Sequence, residues 1–202
     1  VVDTNILNVS RRHVRASAVL VGVLAITICV CLGVVAVAHG VALPSAITVR
    51  EPRLVVLKSQ RIAHLFDGDQ LIRSYPIDLG FSPDGQKMCM ADGRTPVGRF
   101  RVATKNPESP YHRFLGINYP HEDAVRLGLR SGLITQGEAV RIRAALSAGR
   151  CPDWTTALGG GIGIHGHRLG RDWTAGCVAV ADRHIEELFS VLRVGDPIEI
   201  LP

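Results

Sequence analysis

The stretch IHGHRLGRDWTAGCVAV, residues 164–180, holds the side chains best able to do chemistry. Cys177 stands twelve positions beyond His165, behind Thr174-Ala175-Gly176. A cysteine acts as a nucleophile in its thiolate form, and a nearby base or positive field generates that form. His165 is the natural base. It follows the apolar Ile162-Gly163-Ile164, which reads as a short strand, and Cys177 precedes a second one, Val178-Ala179-Val180. Two neighbouring strands ending in His and Cys would bring imidazole and thiol within hydrogen-bond reach. Gly176 lets a backbone approach closely, and the amides of Gly176 and Cys177 can point at a developing oxyanion. Other readings of the same residues stand beside this one. A lone cysteine is often buried filler. His165, His167 and Cys177, with Cys151, are also zinc-ligand types. No Cys-x-x-Cys or His-x-x-x-His spacing supports that site, so neither metal nor cofactor is expected.

The elements that must position these residues can be read along the chain. Apolar runs at 54–57 and 61–66, the turn Asp67-Gly68-Asp69 and a run at 71–79 predict strands joined by a hairpin. Ser82-Pro83-Asp84-Gly85 is a second turn signal. Phe100-Arg101-Val102 alternates as a half-buried strand does. A helical insertion follows: residues 122–130, stopped by Gly132, then a helix opened by the capping-box spacing Thr135-Gln136-Gly137-Glu138 and stopped by Gly149. Asp182 reads as an N-cap before Ile185, Leu188, Phe189 and Leu192, an apolar face at helical spacing. Residues 197–201 close the domain as a strand. The pattern is mainly antiparallel β with a few helices.

Residues 16–38 carry no charged side chain and follow Arg11, Arg12 and Arg15. The run is long enough to span a bilayer, and the arginines place residues 1–15 in the cytoplasm. Ala36-Val37-Ala38 has the pattern of a signal cleavage site, but the run exceeds the usual signal core, which favours an anchor. Either way, a linker at 39–46 leads to a domain at 47–202 outside the cytoplasm, in the periplasm if the membrane is an inner one. The formal charge is +5, of which the first 43 residues supply three Arg and one Asp. The remaining +3 is mild, and no basic run with interleaved aromatics suggests nucleic acid. Of five cysteines, Cys29 and Cys31 fall in the apolar run. Cys89 and Cys151 either bridge in an oxidising compartment, leaving Cys177 free, or stand as two independent thiols.

The quoted stretch resembles the catalytic signature of the L,D-transpeptidases, the YkuD-type domain, in which a His-Gly precedes a [Ser/Thr]-x-Gly-Cys. DGRTPVGRF, residues 92–100, resembles the family's Thr-Pro-x-Gly-x-Phe segment, and SPYHRFLGINYP, residues 109–120, its following strand. The resemblance runs from about residue 47 to 202. It implies a mainly β fold, an L,D-transpeptidase-like β-sandwich with the helical insertion. It implies Cys177 as nucleophile and His165 as general base acting on peptidoglycan stem peptides through a thioester, without a metal. An amine from a second stem or from a wall-anchored lipoprotein would resolve the thioester. Water as acceptor would instead make the protein a thiol hydrolase, a carboxypeptidase or an enzyme releasing wall-linked lipoprotein. A non-catalytic wall-binding module is the reading from another class.

The chain departs from the common pattern in reading Thr-Ala-Gly-Cys where many members have Ser-His-Gly-Cys. It also has Val178-Ala179 where many place a basic residue after the cysteine. A sub-branch with Asp-Trp-Thr-x-Gly-Cys shares these features. Around the pair, Thr174 either bonds within the site or caps a turn. Arg168 and Arg171 have the guanidinium geometry for stem-peptide carboxylates. Ser109, Tyr111 and His167 are further substrate-side candidates, and Trp173 is expected to pack beside the turn.

Overall fold

The computed structural model describes residues 48–202. The cytoplasmic flank, the apolar segment and the whole linker expected from the sequence lie outside the described residues. Among the described residues no helix is long and apolar enough to cross a membrane.

Eight strands and three helices alternate in one unit. The first strands are β1 (Pro52–Leu57), β2 (Ile62–Asp67), β3 (Gln70–Pro76), β4 (Gly98–Ser109) and β5 (His112–Ile117). Then come α1 (Glu122–Arg130), α2 (Gln136–Ser147), β6 (Gly163–His165), β7 (Val178–Ala179), α3 (Asp182–Val191) and β8 (Pro197–Leu201). The strands form one hydrogen-bonded sheet in the order β3-β2-β1-β8-β4-β5-β6-β7. Its pairs are antiparallel except β1–β8 and β6–β7, which are parallel. The twelve-residue β4 joins the halves, pairing with β8 through Arg101 and with β5 from Val102 onward. The sheet curls until its edges meet: beyond β3, Asp78 pairs with Ala179 of β7, and Gly80 bridges to Thr174. The two layers expected of a sandwich are therefore halves of a single curled sheet.

Alternation explains the core. In β8, Ile198 and Ile200 are buried while Pro197, Glu199 and Leu201 are not. Leu54, Val56, Leu115, Ile117, Ile164 and Val178 enter the same buried cluster from both halves of the sheet. The expected strand over 71–79 stops at Pro76, whose missing N–H ends the ladder. β4 runs well past the expected Phe100–Val102, because its second half is largely polar and contains Pro107, which hides the alternation.

The helices begin and end for local reasons. Thr135 accepts from the Glu138 amide while the Glu138 carboxylate accepts from the Thr135 amide, completing the expected capping box. Ala124, Val125, Ala139 and Ile142 carry α1 and α2 into the main core cluster, so the insertion is an integral packing element. The N-cap of α3 is Ala181, not Asp182. Asp182 instead opens the helix and turns its carboxylate to the His167 amide, 2.7 Å away. At the other end Lys105 Nζ donates to the carbonyls of Phe189 and Leu192, satisfying two acceptors that the helix leaves open.

Candidate active site

Strand pairing sets the geometry of the site. In the parallel ladder, Ile164 lies opposite Val178 and His165 opposite Ala179. Continuing that register two positions back puts Cys177 on the face of His165, as a diagonal neighbour. Diagonal neighbours on a sheet stand about 7–8 Å apart, within reach of an aromatic side chain.

His165 is held from every side. It is 3% exposed, and its Nδ1 donates to the Gly166 carbonyl at 2.8 Å. A carbonyl can only accept, so the proton sits on Nδ1 and Nε2 carries the free lone pair. Tyr111 stacks on the ring, centroids 4.7 Å apart, and Trp173 meets it edge-on at 5.8 Å. Burial pushes the imidazole pKa down, against the Gly166 bond, which favours the cation. His167 adds a smaller push in the direction of burial. The ring is a neutral base at neutral pH.

The thiol is protonated too. Burial raises Cys177 to about 11, opposed by a bond from the Gly163 backbone and by the charge of Lys87. Its Sγ–H donates to the Gly161 carbonyl at 3.4 Å. The sequence expected thiol and imidazole within hydrogen-bond reach; among the described residues each bonds a backbone carbonyl instead, His165 that of Gly166 and Cys177 that of Gly161.

The turn before Cys177 is built by Thr174, which is buried. Its hydroxyl donates to the Cys177 carbonyl at 2.7 Å and accepts from the Gly176 amide at 3.1 Å. Of the two roles open from the sequence, it caps the turn. The Gly176 amide is thereby spent and cannot also hold an oxyanion. The Cys177 amide makes no hydrogen bond among the described residues. Gly176 has φ +134°, and a Cβ there would stand 2.7 Å from the Arg94 carbonyl oxygen. The close approach that requires glycine is thus to the protein's own backbone rather than to a substrate.

The other candidates divide. Tyr111 stands over the base, in the turn between β4 and β5 rather than in a strand. Ser109 ends β4, and its hydroxyl accepts from the Tyr111 amide at 3.1 Å, shaping that turn. Arg168 is not free for a substrate: its Nε lies 3.2 Å from Oδ1 of the buried Asp78. The other Asp78 oxygen accepts from the amides of Leu169 and Gly170. Arg171 is exposed and makes no ion pair among the described residues. His167 is exposed, with Nε2 3.9 Å from Asp182. With Arg168, Leu169, Trp173 and Arg183 it lines an open groove of about 650 Å³ that neither Cys177 nor His165 lines. Cys89 and Cys151 are both free, so the bridge between them is not formed. Burial pushes the Cys151 thiol up. Among the described residues no three His, Cys, Asp or Glu side chains converge as a metal would need.

Several supports were not singled out from the sequence. Arg61 grips Asp172 through Nε and Nη2, the shortest contact being 2.7 Å. Asp172 accepts from the Leu79 amide at 2.8 Å. Asp78 and Asp172 thus tie the loop between β6 and β7 to the chain beyond β3. The only local hint was for Asp78, an acid placed between Ile77 and Leu79.

A curled sheet carries a histidine at the end of one short strand and a cysteine directly before its parallel neighbour. The model of the YkuD L,D-transpeptidase catalytic domain matches residues 51–200, and the chain belongs to that family. No curated protein matches the chain. Among solved structures it is similar to Bd1075 of Bdellovibrio bacteriovorus, with 23% identity over 76% of this chain and 48% of that one, TM-score 0.50. A variant of the helical cell shape determining protein Pgp2 from Campylobacter jejuni gives 19% identity over 75% and 47%, TM-score 0.50. An L,D-transpeptidase from Mycobacterium smegmatis gives 13% over 75% and 59%, TM-score 0.44. The chain thus spans between 47% and 59% of the length of these structures.

Proposed function

We propose that this protein is a cysteine-dependent acyltransferase, an L,D-transpeptidase acting on peptidoglycan stem peptides. One observation carries the reading: a buried, neutral, tautomer-fixed His165 ends β6, and Cys177 stands directly before the parallel strand β7 that pairs with it. In the proposed reaction the Cys177 S–H gives its proton to His165 Nε2 as sulfur bonds to the carbonyl carbon of the stem's diamino-acid L-centre. The Cys177 amide receives the oxyanion. The C–N bond to the terminal D-residue then breaks, and the imidazolium returns its proton to the leaving amine. An acceptor amine attacks the thioester, re-forms an amide and releases sulfur. A stem from a second strand gives a cross-link, and the amine of a lipoprotein gives an anchor.

The charged segment order at the N-terminus supports a place in the cell envelope. Residues 16–38 would act as membrane anchor or export signal, with the catalytic domain extracytoplasmic. The exposed Arg171 remains the candidate for a stem-peptide carboxylate.

The test is incubation of the wild-type chain and a Cys177→Ala variant with purified tetrapeptide muropeptides, read by mass spectrometry. Loss of D-alanine with dimer formation, absent in the variant, is the expected result. Shortened or released peptides without dimers would assign water as the acceptor and make the protein a hydrolase. Turnover by the variant would overturn the mechanism.

A further inference from the structure

The segment between β3 and β4 contains a buried ion pair that the reaction above does not use. Lys87, its side chain 2% exposed, lies 2.7 Å from Asp92. Its Nζ also donates to the Cys89 carbonyl at 3.1 Å. The Asp92 carboxylate accepts from the amides of Met88, Cys89 and Arg94 at 2.7, 3.2 and 3.1 Å. Four donors on one carboxylate fix the path of residues 87–94, and the hydrogen bonds hold its pKa below the ordinary range despite burial.

That strap lies directly against the nucleophile's turn. The Arg94 carbonyl packs on Gly176, where a Cβ would stand 2.7 Å from it. The Gly93 carbonyl blocks any side chain at Gly80, whose own Cβ position is 3.2 Å from the Gly176 Cα. Thr95 Oγ1 accepts from the Gly80 amide at 3.0 Å and reaches the Cys177 carbonyl at 3.5 Å. Whatever shapes the strap therefore shapes the backbone that presents Cys177.

We propose that Lys87, held by Asp92, is a positioning residue for the nucleophile: the pair sets the strap that supports the Cys177 turn. This rests on the reading of Cys177 as the nucleophile.

The experiment is the rate of iodoacetamide alkylation of Cys177 from pH 7.5 to 10, followed peptide by peptide by mass spectrometry. That resolves it from Cys89 and Cys151, and it needs no wall substrate. Loss of the pair loosens the turn, exposes the thiol and speeds alkylation. The variant Lys87→Met is expected to speed alkylation at least threefold at each pH, while Lys87→Arg, which keeps a cation on Asp92, stays near the wild-type rate. Should Lys87→Met fail to fold, the charge-neutral double variant Lys87→Met with Asp92→Asn carries the same expectation without leaving a buried carboxylate unpaired. An unchanged or slower rate in a folded variant lacking the ion pair overturns the proposal. Absence of muropeptide turnover with the alkylation result intact would count against the substrate reading and leave this one standing.

Discussion

Replacing Thr174 by valine tests how the nucleophile's turn is held. Valine keeps the volume and branching and removes only the hydroxyl, which the structure uses twice. The Gly176 amide would lose its acceptor in a buried position, at about 1–3 kcal/mol for an unsatisfied donor. The Cys177 carbonyl would keep only the long 3.5 Å contact with Thr95, a further loss of about 0.5–1.5 kcal/mol. The combined destabilisation is about 1.5–4.5 kcal/mol. For a domain of this size each kcal/mol moves the melting temperature about 2–4 °C, so a drop of about 3–18 °C is expected. Thr174→Ser keeps the hydroxyl and should fall by much less. Because the same hydroxyl fixes the backbone of Cys177, muropeptide turnover by the valine variant should drop about tenfold or more. Thermal unfolding by circular dichroism and product analysis on the same samples measure both effects. A valine variant that melts with wild type and turns over normally would refute the assigned role of the hydroxyl.

Further consequences follow from other contacts. Tyr111→Ala uncovers the His165 ring; because burial is the main cause of its depressed pKa, the acid limb of the pH–rate profile should move to higher pH. An unmoved limb would separate the stack from the titration. His121, His165 and His184 all have pKa values lowered by burial from an ordinary 6.5. The unfolded chain binds these protons first, so stability present above about pH 6.5 should be lost as pH falls through the folded values, as urea midpoints at pH 5, 6 and 7.5 would register. Arg168→Ala leaves the carboxylate of Asp78, 2% exposed, without its cation. The Arg side chain is a third exposed, so the loss should be about 2 kcal/mol rather than the larger value for a fully buried pair. Asp78→Asn combined with Arg168→Ala should recover part of it in the same melts. Burial raises the Cys177 thiol to about 11, so its alkylation should be slow at pH 7.5 and quicken as pH rises toward 10, which peptide-resolved mass spectrometry would register.

Local signals in the sequence carried a large share of this structure because their physics is local. A two-residue turn at Gly68-Asp69, the reciprocal bonds of Thr135 and Glu138, and the apolar spacing of Ile185 and Leu188 each involve residues a few positions apart. The candidate pair His165 and Cys177 was legible in the same way, from residue types beside two short apolar runs and from the family motif around them. The assignment of Asp182 as a cap failed because its carboxylate reaches His167, fifteen positions away, which spacing cannot report.

The sequence by itself determined that a thiol and an imidazole would stand at the ends of adjacent strands, in a mainly β domain with a helical insertion and a family signature. Only the tertiary structure decided their ionisation and their surroundings. Burial by residues distant in the chain keeps the thiol protonated and the imidazole neutral. Asp78 and Asp172 bind the loop from across the sheet closure, and the Lys87–Asp92 strap settles against Gly176 from some eighty positions upstream. Desolvation and charge depend on what surrounds an atom in three dimensions, and that depends on how the sheet curls back on itself.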